Sequence, residues 1–158
     1  MVHGAILEKG ERFYTFLDKV FDAIENKQDE YNWLITDCDL NITFPLFSEA
    51  RGDRYCWIDG KELAEIVRTQ KIQWIFAVLS GFRKYIPLEE VLKYPLPYAD
   101  GYRGFWENPI SLQHPLAEVE IVPWDSTITL LISKNIEIVD SFKRNFPLSE
   151  NLAEYNLR

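Results

Sequence analysis

Apolar residues recur with helical spacing in two parts of the chain. Near the N-terminus apolar residues recur at steps of three residues and one residue, which places them on one side of a predicted helix. The polar run 26–30 ends this helix. Asp59, with Glu62 three residues later, predicts the start of a second helix. Ser133 is the predicted cap of a third, which Pro147 ends. The core-facing positions of the first and third helices are Phe13, Phe16, Leu17, Val20, Phe21, Ile24, Ile138, Val139, Phe142 and Phe146.

Shorter apolar and β-branched runs predict strands. The run 72–79 is apolar on both sides, which is typical of a central strand covered on both faces. Asp37 and Asp39 interrupt another run, which predicts either two strands or one strand with a bulge. The predicted strands are 3–8, 31–36, 40–44, 55–58, 72–79, 118–122 and 127–133. Together these elements predict an α+β fold in one domain, 1–158, with a mixed or antiparallel sheet and about three helices.

Residues 94–109 read YPLPYADGYRGFWENP, with five aromatic residues, three prolines and two glycines. Six of the eight prolines of the chain lie between Pro87 and Pro123. After a short helix that begins at Pro87, the stretch 94–116 is therefore predicted to be irregular. Long irregular segments in small domains are commonly functional or mobile. This segment is thus the main candidate for function.

The charge of the chain favours a protein partner over a nucleic acid. The formal net charge is −8 and the isoelectric point is about 4.8. Such a surface repels phosphate backbones, which argues against nucleic-acid binding, and it attracts a basic protein. No run of eighteen apolar residues and no secretory signal are visible, so we expect a cytoplasmic protein without a membrane span. Cys38 and Cys56 are then expected to be reduced and buried.

The sequence Asp37-Cys-Asp39-Leu-Asn41 invites two enzymatic interpretations. A calcium loop needs glycine at its sixth position and glutamate at its twelfth, where this chain has Ile42 and Ser48. A phosphotransferase that used one aspartate as nucleophile would also need a later acidic pair for magnesium, and no such pair is visible. The favoured interpretation is that both aspartates are turn residues in a hairpin.

The remaining polar groups give no motif for catalysis, a metal or a cofactor. His3 and His114 are isolated, without the paired spacing of a zinc site. Residues 124–127, Trp-Asp-Ser-Thr, are predicted to form a turn rather than a polar site. We therefore expect no catalytic residue, no metal and no cofactor.

Two interpretations of the irregular segment stay open. Its aromatic residues either fold back over the core or lie partly exposed as a partner-binding surface. Tyrosine, tryptophan and arginine dominate interface hot spots, and acidic side chains would form a rim for a basic partner. The candidate partner-binding residues are Tyr98, Asp100, Tyr102, Arg103, Phe105, Trp106 and Glu107.

About half of the chain resembles a family of small, uncharacterised proteins found mainly in Bacillus-type bacteria. The shared residues are Tyr31-Asn32-Trp33, 57–63 (WIDGKEL), 74–77 (WIFA) with Gly81-Phe82, and 86–92. The region around 94–116 is expanded relative to that pattern. No activity is known for that family, so the resemblance implies no function and no functional residue.

The C-terminal part, with 122–127 (VPWDST) and 146–149 (FPLS), is similar in general character to small bacterial immunity proteins. This similarity implies an acidic, cytoplasmic inhibitor that binds a toxin domain and occludes it. The leading functional hypothesis is thus a non-enzymatic protein-binding module of that kind. The alternatives are a small metal-dependent hydrolase or phosphotransferase using Asp37 and Asp39, and a cytoplasmic interaction protein unrelated to toxins.

Overall fold

The structure, a computed structural model, describes residues 1–10 and 16–158. Within these residues seven strands form one sheet in the order β3-β2-β4-β5-β6-β1-β7, and every neighbouring pair is antiparallel. The strands are β1 (His3–Leu7), β2 (Tyr31–Leu40), β3 (Cys56–Asp59), β4 (Trp74–Arg83), β5 (Val119–Trp124), β6 (Ile128–Ser133) and β7 (Glu150–Asn151). The predicted α+β class is confirmed.

In the described part of the chain, three longer helices and three single-turn helices accompany the sheet. The longer ones are α1 (Leu17–Ala23), α3 (Gly60–Thr69) and α5 (Ile136–Asn145), and the short ones are α2 (Pro45–Ser48), α4 (Leu88–Val91) and α6 (Leu152–Tyr155). Two 3₁₀ turns cover Lys27–Glu30 and Gly104–Trp106. The predicted helical position Phe13 lies outside the described residues. No helix in the described ranges is long and apolar enough to cross a bilayer.

The two faces of the sheet are covered differently. Because strand side chains alternate, β4 gives Ala77 and Leu79 to one face and Val78 to the other. Helices α1, α3 and α5 pack on the first face over the larger core cluster. The second face lies under the irregular segment 94–116 and α6. The predicted burial of β4 on both faces is confirmed. Helices cover one face, and the irregular segment covers the other together with α6.

Local capping follows the sequence in one helix and departs from it in another. The Asp59 carboxylate accepts a hydrogen bond from the Lys61 N–H at 2.9 Å, as predicted for the start of α3. At α5 the cap is Asn135, whose side chain accepts from the Glu137 N–H. The Ser133 cap was wrong, because the Ser133 hydroxyl instead accepts from the Asn135 N–H and donates to the Glu118 carbonyl. The predicted loop at 45–53 also contains the short helix α2.

Candidate functional site

Hydrogen bonds hold the irregular segment to strand β2, to the residue after α6 and to itself. The Ala99 N–H donates to Asp37 Oδ2 at 2.8 Å, and the Asn156 amide donates to the Phe105 carbonyl at 3.0 Å. The Gln113 side chain bonds both the N–H and the carbonyl of Tyr98, at 2.9 and 3.0 Å. These contacts hold the aromatic residues of the segment in a defined arrangement.

Six aromatic side chains form a continuous series of edge-to-face contacts, which we call the aromatic ribbon. Neighbouring ring centroids lie between 4.7 and 6.4 Å apart, within the range in which aromatic pairs attract. In order, the ribbon runs Tyr98, Tyr102, Phe105, Trp106, Trp124 and Phe76. The segment thus continues, through Trp124 and Phe76, onto the sheet itself.

Exposure varies along the ribbon. Tyr98 is 48% exposed, and Tyr102, Trp106, Trp124 and Phe76 are half-buried. Phe105 is only 1% exposed, because the 3₁₀ turn at Gly104–Trp106 directs its ring into the core beneath the segment. The expected partial exposure of Phe105 was wrong: this ring is the buried member of the ribbon.

The other predicted partner-binding residues lie at the surface. Asp100, Arg103 and Glu107 are exposed on the same segment. Burial is the main reason that the pKa of the Tyr102 phenol is raised, and the nearby charges of Glu120 and Glu107 add to it. Tyr102 therefore remains a neutral hydrogen-bond donor at physiological pH. The surface offers aromatic, cationic and anionic contacts within one stretch of chain.

An acidic cleft of about 200 Å³ adjoins the ribbon. Asp37, Asp39 and Asp100 line it together with Cys38, Arg51 and Phe76. Phe76 belongs to both features, since its ring also contacts Trp124 in the ribbon. The fold thus brings together the Asp37–Asp39 motif and the irregular segment, which sequence analysis had treated as separate features.

Asp37 and Asp39 occupy a bulge within β2. The pairing of β2 with β4 shifts register between Thr36 and Asp39, and Asp37 takes a left-handed backbone conformation with φ of 49°. The predicted bulge is confirmed, and the hairpin turn is wrong because β2 continues to Leu40. The predicted strand 40–44 is also wrong, because β2 ends at Leu40 and Phe44 precedes the helix α2. A bulge redirects side chains, which is how the Asp37 carboxylate reaches Ala99.

Both carboxylates already have partners. Asp37 accepts the Ala99 N–H, and Asp39 forms an ion pair with Arg51 at 2.6 Å. Arg51 also donates through Nε to the Cys38 carbonyl at 2.9 Å. Among the described residues no group of three or more histidine, cysteine or acidic side chains is arranged to hold a metal ion.

His114 is a buried structural residue. The Leu116 N–H donates to Nδ1 at 3.1 Å, so this nitrogen carries no proton and Nε2 donates to the Val91 carbonyl at 2.9 Å. Burial lowers the pKa of the imidazole, which favours this neutral form. The ring also packs edge-on against Phe82. His114 therefore fixes the end of the irregular segment.

Sequence reasoning missed Trp124 and Phe76 as members of the surface. Trp124 precedes a tight β5–β6 turn at Asp125 and Ser126, both with positive φ, and the predicted turn at 124–127 lies there. No local signal shows that Trp106 will lie 5.5 Å from Trp124, since the contact depends on how the segment crosses the sheet.

Comparisons of the chain with protein-family models, with curated proteins and with solved structures found no match. The function of the site therefore has to be inferred from its own residues.

Proposed function

We propose that the chain is a non-enzymatic protein-binding module that binds a basic protein through the aromatic ribbon and the acidic cleft. The observation that carries this proposal is their continuity through Phe76, which contacts Trp124 and lines the cleft with Asp37 and Asp100. Partly exposed tyrosine and tryptophan beside carboxylates have the composition of an interface centre with a charged rim.

The chemistry of binding would divide between the two features. Tyr98, Tyr102 and Trp106 would supply apolar contact area at low conformational cost, because contacts to neighbouring rings and the segment's hydrogen bonds already restrict them. Asp100 and Glu107, with a chain net charge of −8, would attract a basic partner and raise its association rate.

Most concretely, we propose a bacterial immunity protein of the cytoplasm whose partner is a toxin domain. Inhibition would be by occlusion, since a partner seated on the ribbon loses access to its own substrate. The hydrolase alternative has weaker support, because Asp37 and Asp39 are engaged by Ala99 and Arg51.

Co-expression with a basic toxin domain encoded beside the gene tests this proposal. The unmodified chain should restore growth, and Tyr98→Ala combined with Asp100→Lys should not. Tyr85→Ala is a matched control, since Tyr85 is 82% exposed and follows the end of β4 opposite to Phe76. Equal protection by all three proteins would contradict the proposed surface, and absence of protection by the unmodified chain would contradict the immunity function.

A further inference from the structure

Glu120 is a carboxylic acid in the interior of the sheet. It lies on β5, has 0% exposure and faces the side covered by the irregular segment. Its direct neighbours across the strands are Ser80 on β4 and Ile132 on β6. Acidic side chains are almost never fully buried without a compensating partner, so the contacts of this carboxyl group matter.

The two carboxyl oxygens of Glu120 have different surroundings. Oε2 accepts from the backbone N–H groups of Gln113 and His114, at 2.7 and 3.2 Å. Oε1 is buried and has no hydrogen-bond partner within the described residues, and the same holds for the Ser80 hydroxyl beside it. One oxygen thus binds the irregular segment, while the other is buried without a hydrogen-bond partner.

Protonation makes this environment more favourable. A neutral acid avoids the cost of a buried charge beside an oxygen that has no hydrogen-bond partner, and Oε2 still accepts both N–H groups. Burial is the main cause that raises the pKa of Glu120 to about 7, against the two backbone hydrogen bonds, which lower it.

Few other ionisable groups approach this carboxyl. From the segment these are Tyr102, whose pKa the Glu120 charge raises, and His114, whose N–H binds Oε2. Along the chain, Glu118 lies two residues before Glu120, and its carboxylate forms an ion pair with the Arg83 guanidinium at 4.0 Å. The residues opposite Glu120 on the neighbouring strands β4 and β6 are Ser80 and Ile132, and neither side chain ionises near neutral pH.

We propose that Glu120 is a proton-operated latch for the irregular segment. The protonated carboxyl fastens residues 113–114 to the sheet, and its ionisation favours their release. The consequence for partner binding rests on the proposed function: a released segment holds Tyr98 to Trp106 less firmly, so affinity falls as pH rises.

The direction of the pH effect follows from proton linkage. The closed segment binds the proton more tightly than the open one, whose carboxyl has the ordinary pKa of 4.5. Closure is therefore strongest below pH 4.5, weakens as pH rises toward 7 and is constant above that value. A tenfold change for each pH unit gives about a 300-fold change in the opening equilibrium over this range.

Hydrogen exchange at the amides of Gln113 and His114 tests the latch in the isolated protein. Glu120→Gln keeps a carbonyl acceptor and cannot ionise. Between pH 4.5 and 7, protection in the unmodified chain should fall about 300-fold relative to this variant. His114, whose pKa is lowered, changes the pH dependence of closure in the direction opposite to Glu120. Because His114 is present in both proteins, its effect cancels in the comparison. Glu118→Gln is the matched control and should follow the unmodified chain.

Parallel pH dependence in the unmodified chain and Glu120→Gln would overturn the latch. Because the variant could fail to fold, the ¹³C shift of the Glu120 carboxyl in the unmodified protein gives a second readout. A midpoint near pH 7 supports the latch, and a midpoint below pH 5 overturns it. Neither experiment contains a partner, so its failure is distinguishable from failure of the proposed function.

Discussion

The Ala99 N–H donates a hydrogen bond of 2.8 Å to Asp37 Oδ2, so the bulge of β2 holds the beginning of the irregular segment. Asp37 pairs with the segment 62 residues later in the chain and has a φ of 49°. The side chain and the left-handed backbone are therefore both needed at this position.

Asp37→Ala should destabilise the protein by about 1–3 kcal/mol, because it removes a charge-assisted hydrogen bond and places alanine at positive φ. Asp37→Asn should cost less than about 1 kcal/mol, since asparagine retains an acceptor and tolerates this conformation. Urea unfolding measures both. Equal costs for the two variants would show that the Ala99 contact contributes no stability. Asp39→Ala is a control that breaks only an exposed ion pair.

Gly104→Ala should move the Tyr102 ring, because an added Cβ would collide with its hydroxyl end. The ring is half-buried and can swing outward, so we expect a stability loss below about 1 kcal/mol and a changed Tyr102 environment by NMR. Gly52→Ala is a control for the spectrum only: nothing lies within 4 Å of its added Cβ, so the Tyr102 signals should not change, although its φ of 63° strains alanine. An unchanged Tyr102 spectrum in Gly104→Ala would contradict the close packing of ring and turn.

The two cysteines should resist thiol reagents in the folded protein. Both are free and buried, as the sequence predicted, and burial raises the pKa of Cys38 to about 12 and that of Cys56 to about 11. The thiolate is the reactive form, so a disulfide reagent at pH 8 should react slowly before unfolding and with two thiols after it. Rapid reaction of one thiol in the folded protein would contradict this burial.

His114 should titrate below pH 6.5, because burial lowers the pKa of its ring. Its neutral form stabilises the fold above pH 6.5, and that contribution is lost as pH falls through the lowered pKa. Long-range ¹H–¹⁵N spectra should show a protonated Nε2 at neutral pH, consistent with the Leu116 and Val91 contacts. A midpoint at or above 6.5 would contradict the structural assignment.

The regular elements could be predicted because their patterns are local. The periodicity behind α5 and the apolar run behind β4 both correspond to observed elements, and the irregular character of 94–116 is confirmed. The cap at Asn135 was missed because Ser133 and Asn135 both suit a helix start. The bulge at Asp37 was one of two alternatives, because its register depends on pairing with β4.

The site could be predicted only in part. Tyr98 and Asp100 were identified from composition, and the structure places both at the surface. Their proximity to Phe76 and Asp37 depends on the path of the segment across the sheet, which no local pattern encodes. One feature of the sequence could have drawn attention to Glu120: it is the acidic residue within an otherwise apolar strand.

Binding of a partner to matched surface variants tests the central claim most directly. The unmodified chain, Tyr85→Ala and the double variant Asp100→Lys, Glu107→Lys would each be titrated with the basic toxin domain encoded beside the gene. We predict equal affinity for the first two, and at least a tenfold weaker complex with slower, less salt-dependent association for the double variant. Equal affinity and equal salt dependence for all three proteins would contradict binding through the aromatic ribbon and acidic cleft.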